Sequence, residues 1–233
     1  MALLGLLAAP AARAQEQLRT MNRDASAKLV ARDAAPGKHL GTAVAVSGDV
    51  AVVGAAGDND GGEGSGSAYV FAKQHGSWTQ ISKLTGPAAA ARDRFGKSVA
   101  VSGYTVVVGA SGEDDHGSDS GAAYVFAEQP DGSWLQVAKL VAEDAARLDR
   151  FGWSVAVSGE TVVVGASGDD DGGSDSGSAY VFAEQPDGSW TQVAKLVARD
   201  AAARDNFGIA VAVSGDVAVV GAAGDDDGGE GSG

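Results

Sequence analysis

The chain has no cysteine in 233 residues and only three histidines. The missing cysteine excludes a disulfide scaffold, a thiolate-held zinc or iron–sulfur site, and thiol catalysis. His39, His75 and His116 share no common spacing, so they read as solvated residues rather than ligands or general bases. Positive charge is also scarce, at 17 Lys+Arg against 31 Asp+Glu, a formal charge of −14. That balance argues against nucleic acid and anionic membranes, which need a basic patch. No G-x-S-x-G elbow, H-E-x-x-H or phosphate-binding loop occurs, which removes the commonest hydrolase and nucleotide signatures. Glycine is plentiful at 35 residues, and 44% of the chain is hydrophobic, enough for a packed core.

Residues 1–10, MALLGLLAAP, are apolar and precede Ala12-Arg13-Ala14, an A-x-A pattern. This reads as a secretory signal over residues 1–14, followed by a polar linker over 15–26. The other reading, a buried N-terminal helix, lacks polar periodicity. The stretch is too short to span a bilayer, so no membrane insertion is expected. The expected location is secreted or cell surface.

An internal repeat decides the fold. Phe95-Gly96, Phe151-Gly152 and Phe207-Gly208 recur every 56 residues, as do Trp78, Trp134 and Trp190. Gly54, Gly109, Gly165 and Gly221 follow at intervals of 55, 56 and 56. Every aromatic is in phase except Tyr104 and Trp153. One unit, 151–206, shows four strand signals. Residues 154–157 and the β-branched run 161–164 flank a tight Ser158-Gly159-Glu160 reversal. Residues 178–183 and 190–197 flank a Pro-Asp-Gly turn. The fourth strand tolerates an edge, through Gln192 and Lys195.

Four antiparallel strands per unit describe one blade of a β-propeller, so the fold class is all-β. A β-solenoid is the competing architecture, although its repeats are usually shorter. Blades are expected at 40–94, 95–150 and 151–206, with a partial blade at 207–233, in a domain covering 27–233. Residues 27–34 match 194–201 closely and are expected to supply the fourth strand of a preceding or closing blade. Either the chain is a fragment of a longer propeller, or that strand closes a four-bladed ring.

The elements Phe151-Gly152-x-Ser154-Val155-Ala156-Val157, Val163-Val164-Gly165-Ala166 and Gly177-Ser178-Ala179-Tyr180-Val181-Phe182 resemble the FG-GAP repeats of integrin α-subunit-like propellers, in their bacterial and algal variety. The resemblance covers nearly all of the chain after residue 26. It implies extracellular binding to protein or glycan, assisted by a divalent cation, and it is not specific to one biochemical activity. In the integrin-like repeats a D-x-D-x-D-G calcium loop joins the first two strands. Here that connection is only a Ser-Gly turn, as at Ser158-Gly159-Glu160, so those calcium residues do not carry over.

The acid lies instead after the second strand, in the loops GDNDGGEGSG, GEDDHGSDSG, GDDDGGSDSG and GDDDGGEGSG. They hold 15 of the 31 acids and none of the 17 bases, so they carry the whole net charge. Each places a pair at i and i+2 with a third acid beyond: Asp58, Asp60 and Glu63; Glu113, Asp115 and Asp119; Asp169, Asp171 and Asp175; Asp225, Asp227 and Glu230. Three carboxylates on a glycine-rich loop can wrap Ca2+, which takes 6–8 oxygen ligands. The same loops also suit solvated turns, or ion pairing with the connector arginines Arg92, Arg94, Arg147, Arg150 and Arg204. No catalytic residues are expected, because the acids recur in every unit and a catalytic dyad would be unique. The expected role is recognition or adhesion. The alternatives are an accessory propeller of a secreted hydrolase and a structural surface protein without a specific ligand.

Overall fold

The computed structural model describes residues 27–226 and Gly229. The described residues form 14 strands and no helix, so none is long and apolar enough to cross a membrane as a helix. The first sheet comprises β1 (Val44–Ser47), β2 (Val50–Ala55), β3 (Ser67–Gln74) and β4 (Ser77–Leu84). The second comprises β5 (Ser98–Ser102), β6 (Thr105–Ala110), β7 (Ala122–Glu128) and β8 (Trp134–Leu140). The third comprises β9 (Phe151–Ser158), β10 (Thr161–Ala166), β11 (Ser178–Glu184) and β12 (Trp190–Leu196). A two-stranded sheet of β13 (Phe207–Ser214) and β14 (Val217–Ala222) follows. Within each sheet every strand pairs antiparallel with its sequence neighbour, the meander of a propeller blade. Such sheets exclude the solenoid.

The second strand of each blade reads Val-rich because both faces are covered. Val106 and Val108 join the core between the first and second blades, and Val107 joins the core between the second and third. Phe95 and Phe151 are buried wedges. Phe151 lies 5.5 Å from the Tyr180 ring and 5.9 Å, edge-on, from Phe182.

Two glycines meet at each blade junction. A Cβ on Gly165 would stand 1.9 Å from the Gly208 carbonyl oxygen, and one on Gly109 would stand 2.0 Å from that of Gly152. Only glycine allows main chain to lie against main chain there. The Phe-Gly step also bonds backward: the Phe151 N–H donates to the Ser120 carbonyl at 2.9 Å, in a short parallel bridge with Gly121. Off-phase Trp153 supports the same junction, lying 4.3 Å beneath the Lys97 ammonium.

Two expectations change. Residues 27–34 form no strand. Among the described residues no third strand lies beside them, and the Arg32 N–H donates to a side chain, Gln80 Oε1, at 2.8 Å. Leu29 and Ala31 cover Tyr69, Phe71 and Trp78 of the first blade. The fourth strands also do not alternate simply. Each carries a bulge, between Val70/Phe71, Val125/Phe126 and Val181/Phe182 in the pairing register. In the third blade the bulge leaves Val193 unpaired and sets Lys195 opposite Tyr180.

Candidate functional site

The acidic loops join β2 to β3, β6 to β7 and β10 to β11. Each is a closed, self-bonded structure. In the third blade the Gly177 N–H donates to the Asp169 carbonyl at 2.8 Å, and Ser176 Oγ donates to the same carbonyl at 3.2 Å. The connector to the next blade is laid along this loop. Arg204, Asn206 and Phe207 donate their N–H groups to the carbonyls of Ser174, Asp175 and Ser176. The same three bonds recur with Leu148, Arg150 and Phe151 on the second loop.

The first acid of each loop is buried, and the acid at i+2 is exposed. Asp58 and Asp60 come together, as do Glu113 with Asp115 and Asp169 with Asp171. The i+2 N–H donates to the first carboxylate, at 3.1, 3.2 and 3.1 Å respectively. The third acids stand apart from these pairs. Glu63, Asp119 and Asp175 accept connector N–H groups at their backbone carbonyls. Of the fourth loop, Asp227 and Glu230 lie outside the described residues, and Asp225 follows β14, which among the described residues pairs only with β13.

A lysine from the fourth strand sits among the acids. Lys195 Nζ lies 2.9 Å from Asp169, 2.6 Å from Asp171 and 2.7 Å from Asp144 of the preceding connector. Lys139 Nζ lies 2.6 Å from Glu113 and 2.5 Å from Asp115. Lys83 reaches Asp33, Asp58 and Asp60, and in this blade Lys38 joins the same three carboxylates. Tyr69 and Tyr180 donate their hydroxyls to Asp58 and Asp169 at 2.9 and 2.7 Å. The loops are therefore ion-paired, through lysines rather than the connector arginines.

These lysines carry a regular sequence signal. Lys28, Lys83, Lys139 and Lys195 recur at 55, 56 and 56, the spacing of the loops themselves. Asp33, Asp144 and Asp200 share one repeat position, and Ala88 stands there before the second blade. That alanine is why the second cluster has two acids and the others three.

The electrostatics follow from burial. Burial raises Asp58 and Asp169, but hydrogen bonds from lysine, tyrosine and backbone outweigh it and hold both below the usual carboxylate range. The stability they contribute is present above about pH 4 and is lost as pH falls below it. Lys83, Lys139 and Lys195 are pushed up by the carboxylates despite burial.

Asp149 behaves oppositely. It is buried in the connector, and Oδ2 accepts the Ala146 N–H at 2.6 Å. Burial, with the charges of Asp169 and Asp144, pushes it up to about 6. Its proton is held more tightly in the folded state, so its ionisation opposes folding. The penalty is absent below about pH 4 and complete above about pH 7. Asp149→Asn, which keeps the acceptor, should therefore raise stability by up to about 3 kcal/mol at pH 8 and by nearly nothing at pH 4. Urea unfolding in EDTA at both pH values measures this, and an equal gain at both would refute it.

Carboxylate oxygens of Asp33, Asp58 and Asp60 lie within 4.8 Å of one another, as do those of Asp144, Asp169 and Asp171. Either group could hold a metal ion by proximity alone. The first does not suit one, because two ammonium groups already occupy it. The third blade fits better, with one lysine facing Asp144, Asp169 and Asp171. Ser178 Oγ is buried there without a partner, whereas its counterpart Ser67 donates to Asp58 at 2.7 Å.

The family model of the FG-GAP repeat matches residues 24–71, 78–126, 134–182 and 190–233. The chain belongs to the FG-GAP repeat family. Each family repeat begins with one blade's fourth strand, or its counterpart at 27–34, and continues into the next blade. Among solved structures, the FG-GAP chain is similar to the crystal structure of Sqt1 from Chaetomium thermophilum, at 18% identity and a TM-score of 0.44. That match covers 71% of the FG-GAP chain and 38% of the other, so the FG-GAP chain spans well under half the length of the structure it matches. None of the curated proteins matches it.

Proposed function

We propose that this FG-GAP chain is a non-catalytic recognition module, secreted or at the cell surface, that binds a protein or glycan. The supporting observation is Tyr104. The repeat does not require an aromatic at this turn: Asp49, Glu160 and Asp216 occupy its counterparts. Tyr104 is 75% exposed. It borders a shallow groove of about 400 Å³ with Glu128, Gln129, Pro130 and Gly132. An exposed ring beside a carboxylate and an amide suits stacking against a sugar face with hydrogen bonds to its hydroxyls. The other off-phase aromatic, Trp153, has a structural partner in Lys97, and Tyr104 projects into solvent.

A glycan array probed with the chain should give hits that Tyr104→Ala weakens at least about tenfold. Hits unchanged by the substitution would refute the groove, and a protein-array hit would move the ligand class to protein. No hit on either array would favour the structural-protein alternative. Uniform repetition of the loops supports binding over catalysis, since a catalytic dyad would be unique to one blade.

Ca2+ enters as a second reading, at the third blade only. The support is the excess of carboxylate over ammonium there, together with the unpartnered Ser178. Ca2+ would be held by Asp144, Asp169 and Asp171, with Lys195 displaced. Titration should show one site, lost in Asp169→Ala/Asp171→Ala and retained in Asp58→Ala/Asp60→Ala. The reverse pattern, or no binding, would overturn it.

A further inference from the structure

At the end of the blades opposite the acidic loops, paired turns form grooves of one design. In the second blade the β5–β6 and β7–β8 turns set Tyr104 beside Glu128, Gln129, Pro130 and Gly132. In the third blade the β9–β10 and β11–β12 turns set Glu160 beside Glu184, Gln185, Pro186 and Gly188, around about 440 Å³. One main-chain bond fastens each pair of turns. The Glu128 N–H donates to the Tyr104 carbonyl and the Glu184 N–H to the Glu160 carbonyl, both at 2.9 Å. The grooves lie on neighbouring blades, and between their inner turns the Gly159 N–H donates to Ser102 Oγ at 3.3 Å. A Glu-Gln-Pro-Asp-Gly turn builds both, whereas the first blade has Lys73-Gln74-His75-Gly76 there.

The chemistry of these grooves is one-sided. Their main-chain donors are spent inside the turns: the N–H groups of Gln129 and Gly132 donate to the carbonyls of Ser133 and Gln129. Those of Gln185 and Gly188 do the same with Ser189 and Gln185. Pro130 and Pro186 have no N–H to give. The amide donors are engaged as well. Gln129 Nε2 donates to the Ala127 carbonyl, and Gln185 Nε2 donates to the Ala183 carbonyl and Thr191 Oγ1. What remains is acceptors, the carboxylates and amide oxygens, together with the exposed Tyr104 ring. The carboxylates are also uncompensated. Every ion pair among the described residues lies at the other end, in the acidic loops and connectors, and none reaches Glu128, Glu160 or Glu184. Lys73 stands at the position of Glu128 and Glu184, so the first blade breaks the run.

We infer, resting on the proposed binding at Tyr104, that the two grooves together bind a cationic glycan, a polymer of amino sugars. Sugar ammonium groups bring donors and positive charge to grooves that offer acceptors and negative charge, and the Tyr104 face takes a sugar ring. A polymer with a repeating unit matches a site that itself repeats from blade to blade. Linking its units turns two weak, solvent-exposed contacts into one stronger attachment. A basic peptide suits the grooves less well, because their spent main-chain donors leave its carbonyls unpaired.

Calorimetric titration of the full chain with a fully deacetylated glucosamine hexamer tests this, in mildly acidic, low-salt buffer that keeps the sugar amines protonated. The hexamer should bind at least about tenfold more tightly than the fully acetylated hexamer of the same backbone, and less tightly as salt is raised. Glu128→Gln/Glu184→Gln should weaken the amino hexamer at least about tenfold at an unchanged melting temperature, because neither carboxylate has a partner to lose. Glu63→Gln/Glu143→Gln removes the same charge from exposed positions at the loop end and should leave binding unchanged. Equal binding of the charged and acetylated hexamers, both weakened by Tyr104→Ala, would overturn the inference and keep the Tyr104 reading. No binding of the amino hexamer would also overturn it, and the glycan array would then decide the Tyr104 reading by itself. Equal losses in the two double variants would reduce the binding to net charge, and oligolysine bound as tightly would move the ligand to protein. Either result overturns the inference.

Discussion

Phe151→Ala is expected to cost about 4 kcal/mol and to split one unfolding transition into two. Phe151 is fully buried in the core between the second and third blades, against Tyr180 and Phe182. Removing the ring leaves a cavity that backbone-to-backbone contact at Gly109 and Gly152 cannot collapse to fill. Where each blade contacts only its neighbours, stability is approximately a sum of blade terms and neighbour interfaces. A weakened junction therefore uncouples the blades on either side. Urea unfolding followed by both circular dichroism and tryptophan fluorescence would show the two transitions. Phe207→Ala is the control: among the described residues its sheet has two strands, and its ring is only half-buried, so it should lose roughly 1 kcal/mol. A loss at Phe151 as small as that at Phe207 would refute the wedge role.

Lys195→Met should destabilise the chain by about 3 kcal/mol in EDTA. The ammonium is the charge partner of Asp144, Asp169 and Asp171, and Asp169 is buried. Without it three carboxylates face one another, and the Tyr180 hydroxyl and the Asp171 N–H do not offset the buried charge. Lys83→Met should lose less than half as much, because Lys38 still bonds Asp33, Asp58 and Asp60. Calcium should restore the melting temperature of Lys195→Met if the third blade is an ion site, by mass action on the folded state. Equal losses at the two lysines would show that Lys38 does not share the load, and the account of the clusters would fall.

Most of the strand plan was readable because two periodicities coincide. The 56-residue recurrence fixed the unit, and β-branched runs between Ser-Gly and Pro-Asp-Gly turns fixed the strands within it. The third blade's four strands fall within a few residues of the sequence reading. The site was half readable. Acid pairs at i and i+2 do converge, but counting acids alone hid the lysine that converges with them. Lys195 looked like an edge residue because strand alternation places it on one face. The bulge at Val193 turns it toward Tyr180 and Asp169, and a bulge leaves little trace in residue pattern. Residues 27–34 copy a fourth strand in sequence yet make none, because a strand needs a neighbour that local sequence cannot supply.

The paired glycines have a wider consequence. The contact between Gly165 and Gly208 is made by main chain, and main chain is the same in every unit. Blade pitch is therefore insensitive to which side chains decorate the blades. Loops and turns can diverge freely, as Tyr104 and Lys38 already have, without changing how units stack. Length is constrained instead. An insertion of a few residues between Phe-Gly and the second-strand glycine would break two junctions at once. Each whole unit carries both parts of the junction, a Phe-Gly step and a second-strand glycine. The chain is built to vary by chemistry within a blade while its junctions stay fixed.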